Sequence, residues 1–188
     1  MSNSRIKLIL LDFDGTLVDT RRANAAAYIA ALRETGRTLT EEEYVTHYFG
    51  MRCNEFLTRL GIEDPGERER LRLRKIALYP TCFDTVRLNE PLWHFCQQFR
   101  STGGRVWIVS TGSRANIDNV MHHLGIADGV DGILSGLDIE RPKPAPDCFL
   151  EVMRREGCTP RETLIFEDSR IGIEAAQRSG ASYVVVRL

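Results

Sequence analysis

From about residue 89 onward, short apolar runs alternate with segments of helical pattern, and this alternation constrains the fold more than any other feature of the chain. The apolar runs are RVWIVS, GVDGILSG, TLIFEDS and SYVVVRL, and a helical pattern separates each from the next. Strands that alternate with helices indicate a parallel sheet covered by helices on both faces. A further apolar run, KLILLDFDG, stands near the start of the chain and must join the same sheet to be buried.

The stretch between that first strand and the alternating part carries helical patterns only. One of them, TEEEYVTHYF, opens with a capping-box pair, Thr40 and Glu43. A helical block inside a sheet-forming sequence is an insertion, and its natural place is over the edge of the sheet. We therefore expect an α/β fold with a Rossmann-like parallel sheet and helices on both faces, formed by residues 1–18 and 87–188. Residues 19–86 are expected to form a small, all-helical cap domain inserted into it.

The composition argues against several classes of partner. The net charge of −1 leaves no electrostatic footprint for nucleic acid or an anionic membrane. The longest apolar runs are far shorter than the ~20 residues that a membrane-spanning helix needs. The five cysteines form an odd set without a C-x-x-C pair, and no signal-peptide pattern is visible. We expect a cytoplasmic protein with reduced thiols that binds neither nucleic acid nor membrane.

Polar residues stand at the carboxyl ends of four predicted strands, the edge where open parallel sheets bind ligands. In chain order these residues are Asp12 and Asp14, then Ser110, Thr111 and Gly112, then Arg141 and Lys143, and finally Glu167, Asp168 and Ser169. Each group alone has a structural explanation, such as a turn at Asp-Gly or a helix cap at Ser169. Their joint occurrence favours a functional site.

The spacing of Asp12 and Asp14 raises an electrostatic question. Side chains two residues apart on a strand share a face, and two carboxylates there repel each other unless a cation or a shared proton lies between them. Acidic oxygen ligands in this number suit a hard divalent cation, and Mg²⁺ is the usual one. The sequence therefore predicts a magnesium site at this edge of the sheet.

Four motifs carry a resemblance to a known family. DFDGT, VSTGS, KPAPDCFL and FEDSRIGIEAA resemble the four motifs of the haloacid dehalogenase (HAD) superfamily. The last two are similar in wording to its beta-phosphoglucomutase-like phosphatase branch, in which a helical cap follows the first motif. Overall length and cap size resemble small bacterial sugar-phosphate phosphatases of that branch. The resemblance covers nearly the whole chain and implies an enzyme, a phosphoric monoester hydrolase.

The resemblance implies catalytic roles for residues of the first two motifs. Asp12 would be the nucleophile that forms an aspartyl-phosphate. Asp14 would protonate the leaving oxygen and then activate water as a base. Ser110 would donate a hydrogen bond to a phosphoryl oxygen, joined by the backbone N–H of Thr111 or Gly112.

The resemblance also implies a metal set and a charge partner. Asp12, the main-chain carbonyl of Asp14 and the carboxylate of Asp168 would bind Mg²⁺. Glu167 would belong to the same metal site through water or through a contact behind the ligands. Lys143 would balance the charge of Asp12 and of the phosphoryl oxygens.

Three residues of the helical block are expected to contact the substrate. Arg21 and Asn24 follow the first motif closely, and Arg52 comes next to a glycine turn. Sugar-phosphate mutases of the resembled branch usually carry a histidine ten residues after the second aspartate, where this chain has Asn24. This difference weakens the interpretation as a mutase.

The leading hypothesis is a Mg²⁺-dependent phosphatase that hydrolyses a small soluble phosphate monoester, most plausibly a phosphosugar. Two alternatives stay open: a sugar-phosphate mutase of the same family, and a non-catalytic phosphate-binding regulatory protein. A receiver domain is disfavoured because its phosphorylated aspartate follows its acidic pair. We expect a monomer or a weak dimer, and the sequence does not identify the physiological substrate.

Overall fold

The computed structural model describes residues 5–188, and its central element is a five-stranded parallel sheet. The strands in chain order are β1 (Leu8–Leu11), β2 (Val18–Asp19), β3 (Arg87–Leu88), β4 (Arg105–Val109), β5 (Gly132–Leu134), β6 (Thr163–Glu167) and β7 (Ser182–Val185). The sheet has the order β5-β4-β1-β6-β7 and all its pairs are parallel. At the carboxyl edge, Leu11 of β1 pairs with Ile108 and with Phe166. The first strand therefore lies at the centre of the sheet.

Within residues 5–188, eight α-helices either cover the sheet or form the inserted block. In chain order they are α1 (Arg21–Arg33), α2 (Glu41–His47), α3 (Cys53–Arg59), α4 (Pro65–Leu78), α5 (Glu90–Ser101), α6 (Arg114–His123), α7 (Asp147–Glu156) and α8 (Arg170–Ser179). Helices α5 and α6 share a hydrophobic core with one face of the sheet, and α7 and α8 share a second core with the other face. Because both faces are covered, all four residues of β1 are fully buried. The predicted fold class is confirmed.

Helices α1 to α4 enclose a third hydrophobic core of their own, centred on aromatic residues. Tyr28 and Tyr44 pack on Phe56, with ring centroids 4.8 Å and 5.4 Å from it. The capping box forms as the spacing predicts, since the Thr40 hydroxyl accepts from the Glu43 backbone N–H at 3.1 Å. Because they share this core, helices α1 to α4 pack together as one unit beside the sheet.

A two-stranded antiparallel ribbon, not expected from the sequence, joins the helical block to the sheet. Val18 pairs with Leu88 and Asp19 with Arg87, so the chain enters and leaves the block through adjacent strands. Strands of two residues are too short to show a period in the sequence. The domain boundaries at 18/19 and 86/87 remain a prediction, and residues 1–4 of the predicted sheet domain lie outside the described residues. Within residues 5–188, we find no helix whose length and apolar character would let it span a bilayer.

We predict that Gly136→Ala lowers the free energy of unfolding by about 2–3 kcal/mol. A Cβ on Gly136 would lie 2.1 Å from the carbonyl oxygen of Thr111, which is backbone and cannot swing aside. The matched control is Gly66→Ala in the first turn of α4, where the nearest atom is the Asp64 side-chain oxygen at 3.2 Å. Its unfolding free energy should stay within about 1 kcal/mol of wild type. Equal urea midpoints for the two variants would disprove the close approach at Gly136.

Candidate active site

The ammonium group of Lys143 lies between two buried carboxylates at the carboxyl edge of the sheet. Its Nζ atom is 2.7 Å from Oδ1 of Asp12 and 2.6 Å from Oε1 of Glu167, and it also donates to the Val109 carbonyl at 3.0 Å. Asp12 follows β1, Glu167 ends β6, and Val109 ends β4. Lys143 comes from the loop between β5 and α7, so one side chain ties together the ends of the three central strands.

Glu167 is fully buried and both its carboxylate oxygens are occupied by donors of the protein. Oε1 accepts from Lys143, while Oε2 accepts from the backbone N–H groups of Asp168 and Ser169 and from the Ser169 hydroxyl, at 2.9 to 3.0 Å. Helix α8 approaches so closely that a Cβ on Gly172 would lie 1.8 Å from Oε1. Glu167 therefore anchors Lys143 and the start of α8, and its geometry fits a contact behind the ligands.

Asp12, Glu167 and Asp168 form an acidic cluster in which one oxygen from each lies within 4.8 Å of the others. Oδ1 of Asp168 accepts a hydrogen bond from the Thr16 hydroxyl at 2.9 Å. Gly15, at φ +92°, allows the close approach, because a Cβ there would lie 2.3 Å from Oδ2 of Asp168. Oxygen donors from Asp12 and Asp168 fit a hard divalent cation such as Mg²⁺.

The electrostatics of this cluster favour a bound cation. Burial, and then the negative charge of Glu167, raise the pKa of Asp12 well above its ordinary value, against the pull of Lys143. Burial also raises the pKa of Asp168 to about 6. Although burial alone would lower the pKa of Lys143, the charges of Asp12 and Glu167 outweigh it and raise that pKa. One ammonium group does not neutralise three carboxylates, and a cation would relieve the remaining repulsion.

The Asp14 side chain is held by residues of the helical block. Its Oδ1 accepts from the Thr20 hydroxyl and from Nδ2 of Asn24, the latter at 3.2 Å. The Asn24 Oδ1 atom in turn accepts from the Lys75 ammonium at 2.7 Å. The other oxygen of Asp14 lies beside Gly112, 3.2 Å from where a Cβ of that glycine would stand. The Asp14 side chain is thus oriented from one side and open on the other.

Two cavities meet at Asp14. A small pocket of about 30 Å³ is lined by Asp12, Lys143 and Asp168, among others. A chamber of about 500 Å³ lies between the sheet and the helical block. Both cavities are lined by Asp14, Phe49, Gly50 and Thr111. The Asp12 carboxylate, the Asp14 carboxylate and the large chamber therefore follow one another in space.

The residues after β4 lie at the same junction. Ser110 is buried, and its hydroxyl accepts from the Gly112 backbone N–H at 2.9 Å. The Thr111 hydroxyl donates to the Gly50 carbonyl at 3.2 Å, which joins the core to the helical block. The structure therefore brings Ser110, Thr111 and Gly112 next to the acidic cluster, and their roles toward a phosphoryl group remain predictions.

The three candidate residues of the helical block have different positions. Asn24 and Arg52 line the chamber. Arg52 also donates through Nη2 to the carbonyls of Gly136 and Ile139, at 2.6 Å and 3.1 Å. Arg21 is not brought into the chamber, because its guanidinium group binds Asp19 two residues before it, at 2.8 Å and 2.7 Å. The expectation that Arg21 faces the substrate finds no support in this geometry.

Lys75 is a chamber residue that the sequence analysis did not single out. It is 2% exposed, lies 3.7 Å from the centre of the Tyr79 ring, and forms no ion pair with any carboxylate of residues 5–188. Burial lowers its pKa to about 8. The charged residues before it in the run ERERLRLRK are exposed or half-buried, and Leu71 is the other buried residue of that run. The signal that could have identified it is the four-residue spacing of Leu71, Lys75 and Tyr79, which places the lysine on the buried face.

An α/β sheet with a helical insertion and this acidic edge defines a class of hydrolytic enzymes, and comparison with known proteins identifies the family. Residues 9–186 match the family model described as haloacid dehalogenase-like hydrolase. The match covers nearly the whole chain, which therefore belongs to the haloacid dehalogenase-like hydrolases. The predictions of family and of an enzyme are both confirmed.

Curated relatives share the full length or most of it. The chain is 28% identical to fructose-1-phosphate phosphatase YqaB of Escherichia coli, with 96% of each chain covered. It is 27% identical to a phosphoglycolate phosphatase of Pseudomonas putida, with 95% of this chain and 68% of the relative covered. Pyrophosphatase PpaX of Bacillus velezensis is 25% identical, with 96% and 82% covered. These relatives are named for different phosphorylated compounds.

Solved structures support the same fold. CbbY from Rhodobacter sphaeroides, in complex with phosphate, has a TM-score of 0.88 at 22% identity, covering 97% of this chain and 87% of that one. The beta-phosphoglucomutase of Clostridium difficile has a TM-score of 0.82 at 22% identity, covering 97% and 85%. At this identity the likeness concerns the fold alone.

We predict that Lys75→Met raises the free energy of unfolding at pH 7 by about 1–3 kcal/mol, because a buried ammonium without a carboxylate partner is unfavourable. The folded-state pKa of about 8 lies below the ordinary 10.5. Wild type therefore bears the full cost of burying the charge below pH 8 and loses that cost as the pH rises toward 10.5. The advantage of the methionine variant should shrink accordingly, as measured by urea unfolding at pH 7 and at about pH 9.5.

The matched control for this prediction is Lys7→Met, at an exposed lysine paired with Glu162. We expect its unfolding free energy to change by less than about 1 kcal/mol. A Lys75→Met variant that is less stable than wild type, by the same amount at both pH values, would contradict the prediction.

Proposed function

We propose that this enzyme is a Mg²⁺-dependent phosphatase that hydrolyses a small phosphate monoester, with a phosphosugar as its substrate class, through an aspartyl-phosphate on Asp12. The observation that carries the proposal is the junction of the two cavities. There the Asp12 carboxylate, the Lys143 ammonium and Asp168 line the small pocket, and Asp14 stands between that pocket and the chamber.

Asp12 is suited to the role of nucleophile. Its Oδ1 is held by Lys143 at 2.7 Å, and its other oxygen accepts no hydrogen bond from residues 5–188. That free oxygen attacks the phosphorus atom and forms the new O–P bond, while the bond from phosphorus to the ester oxygen breaks. The positive charge of the Lys143 ammonium stabilises the negative charge on Asp12 and on the phosphoryl oxygens.

Asp14 is suited to move the proton. Thr20 and Asn24 hold its Oδ1, so the second oxygen is directed to the junction, where the leaving oxygen of the ester would lie. As the acid, Asp14 gives its proton to the alcohol that leaves. As the carboxylate that remains, it takes a proton from the water that attacks the aspartyl-phosphate, which releases phosphate and restores Asp12.

The proposed metal is Mg²⁺, held by the carboxylates of Asp12 and Asp168 together with the main-chain carbonyl of Asp14. When bound, it would neutralise the acidic cluster and the anionic phosphoryl group. The Ser110 hydroxyl, which accepts from the Gly112 N–H, and the backbone N–H of Thr111, just before α6, would donate to the remaining phosphoryl oxygens. Glu167 would act behind the ligands by holding Lys143.

The relatives support a phosphorylated metabolite as substrate, and one of them is named for fructose 1-phosphate. A chamber of about 500 Å³ is within the usual range for small-molecule sites.

We further propose that residues 19–86 act as a cap that shapes this chamber. We also propose that the protein works in the cytoplasm as a monomer or weak dimer. Asn24 stands where mutases of the resembled branch usually carry a histidine, and its amide does not exchange a proton near pH 7. This difference favours a phosphatase over a mutase.

We predict that Asp12→Asn lowers phosphate release from 4-nitrophenyl phosphate and fructose 1-phosphate by at least about 10³-fold, because the amide is a poor nucleophile. Phosphate release should be assayed with Mg²⁺ and again with excess chelator, which should stop the wild-type reaction. The matched control is Asp118→Asn, at an exposed carboxylate paired with Arg114 on α6. This control should keep activity within about threefold.

Near-normal turnover by Asp12→Asn would show that Asp12 is not the nucleophile. Interconversion of sugar phosphates that needs a bisphosphate primer, and that outpaces hydrolysis, would favour the mutase. Ligand-dependent stabilisation without any turnover would favour a phosphate-binding regulatory protein.

A further inference from the structure

Lys75 is a buried cation on α4 that pairs with no carboxylate of residues 5–188. Burying an ammonium group without an anionic partner is unfavourable, and an apolar side chain of similar length would fill the same place at less cost. The stability of the helical block therefore does not explain a lysine at this position. Its contacts point to a different role.

The ammonium group of Lys75 is directed at one amide oxygen. In the part of the chain that the structure describes, its hydrogen-bond acceptor is Oδ1 of Asn24, at 2.7 Å. The rings of Tyr79 and Tyr28 lie beside it, with centres 3.7 Å and 5.2 Å from Nζ. Attraction between the cation and the faces of these rings holds the ammonium group against the amide of Asn24.

The amide of Asn24 connects Lys75 to Asp14. Its Nδ2 atom donates to Oδ1 of Asp14 at 3.2 Å and to the Thr20 hydroxyl at 3.0 Å. A flipped amide would turn its oxygen toward the Asp14 carboxylate and its NH₂ group toward the Lys75 ammonium, and both contacts would be repulsive. Lys75 therefore selects the orientation of the amide that donates to Asp14.

We propose that Lys75 is a positioning residue that acts through Asn24 to hold the Asp14 carboxyl group in the orientation that its proton transfers need. In this role Lys75 contacts neither the phosphoryl group nor the leaving oxygen. Asn24 and Thr20 hold Oδ1 of Asp14, which leaves its other oxygen for the proton. This inference rests on the proposed phosphatase function and adds a residue of α4 on which the proton transfer depends.

The test compares leaving groups that differ in their need for a proton. Fructose 1-phosphate and glycerol 2-phosphate release alcohols, which take a proton from Asp14, whereas 4-nitrophenolate leaves as a stable anion. Because a misaligned acid keeps part of its effect, we expect Lys75→Met to lower kcat for the two alkyl esters by about 10- to 100-fold. Their KM values should change by less than about threefold. The first-turnover release of 4-nitrophenolate, followed by rapid mixing, should stay within about threefold of wild type.

A double-mutant cycle shows whether the effect passes through Asn24. Asn24→Leu removes the amide that contacts both Lys75 and Asp14, and it should lower kcat for the alkyl esters to a similar extent. Adding Lys75→Met to this variant should lower kcat by less than about twofold more, because the connection is already lost. Two residues that act independently would instead multiply their losses.

Two further variants separate positioning from damage to the fold. Lys75→Gln keeps an N–H donor for Asn24 without the charge, so its kcat for the alkyl esters should lie between those of the methionine variant and wild type. It also carries the comparison if Lys75→Met does not fold. Arg74→Met changes the preceding residue, whose exposed side chain pairs with Glu34 outside the described lining of the chamber. This control should leave both rates within about twofold, and thermal midpoints check that each variant is folded.

The outcomes separate this proposal from the one it rests on. Equal losses in Lys75→Met for the alkyl esters and for the first release of 4-nitrophenolate, or no loss in either, overturn the positioning role and leave the phosphatase standing. Multiplied losses in the double variant do the same. So does a wild type that hydrolyses 4-nitrophenyl phosphate but neither alkyl ester, since no alcohol then takes a proton from Asp14. Wild type that releases phosphate from none of the three esters with Mg²⁺ overturns the phosphatase, and the positioning role with it.

Discussion

The ion contacts of Lys143 are the interaction on which the rest of this structure depends. One ammonium group bonds the end of β4 through Val109, the end of β1 through Asp12 and the end of β6 through Glu167. A buried carboxylate that lost this partner would be left uncompensated, which usually costs about 3–5 kcal/mol. The same contacts hold Asp12 in place and leave one of its oxygens free. The stability of the sheet edge and the position of the proposed nucleophile therefore come from a single arrangement.

The strand order explains why four separate motifs meet. β1 lies at the centre of the sheet, with β4 on one side and β6 on the other, so polar residues that follow these strands are neighbours at the carboxyl edge. Glu167 accepts from Asp168 and Ser169, just before α8, and Gly15 and Gly172 allow side chains to approach where a Cβ would collide. The residues of the proposed chemistry thus follow the strands of the sheet, whereas the helical block completes the chamber.

Much of the fold and of the acidic site follows from local patterns in the sequence. The apolar runs predict the five parallel strands, and the polar residues after them predict the cluster of Asp12, Lys143 and Asp168, because parallel strands carry their ends to one edge. The capping box at Thr40 is a contact between near neighbours in sequence and is predicted for that reason. Where the determining contacts are local or set by strand order, the sequence is sufficient.

Contacts that depend on the docking of the helical block are not visible in the sequence. The ribbon of β2 and β3 has two residues per strand and no period. Lys75 lies in a charged run and is buried only because the Tyr79 ring and Asn24 receive it. The ribbon pairs Val18 with Leu88, and Lys75 meets Asn24, so both contacts join segments that are far apart in the sequence. Arg21 is a different case, because its partner Asp19 lies only two residues before it and the sequence alone does not show which carboxylate it binds.

The most direct test of this account is to acid-quench the enzyme during turnover of a phosphate ester with Mg²⁺ and examine its peptides by mass spectrometry. A covalent intermediate on the free oxygen of Asp12 predicts that the peptide containing Asp12 gains one phosphoryl mass, and that the gain disappears in Asp12→Asn. A phosphoryl group on any other residue, or steady turnover with an unmodified Asp12 peptide at every quench time, would contradict the role assigned to the carboxylate that Lys143 holds.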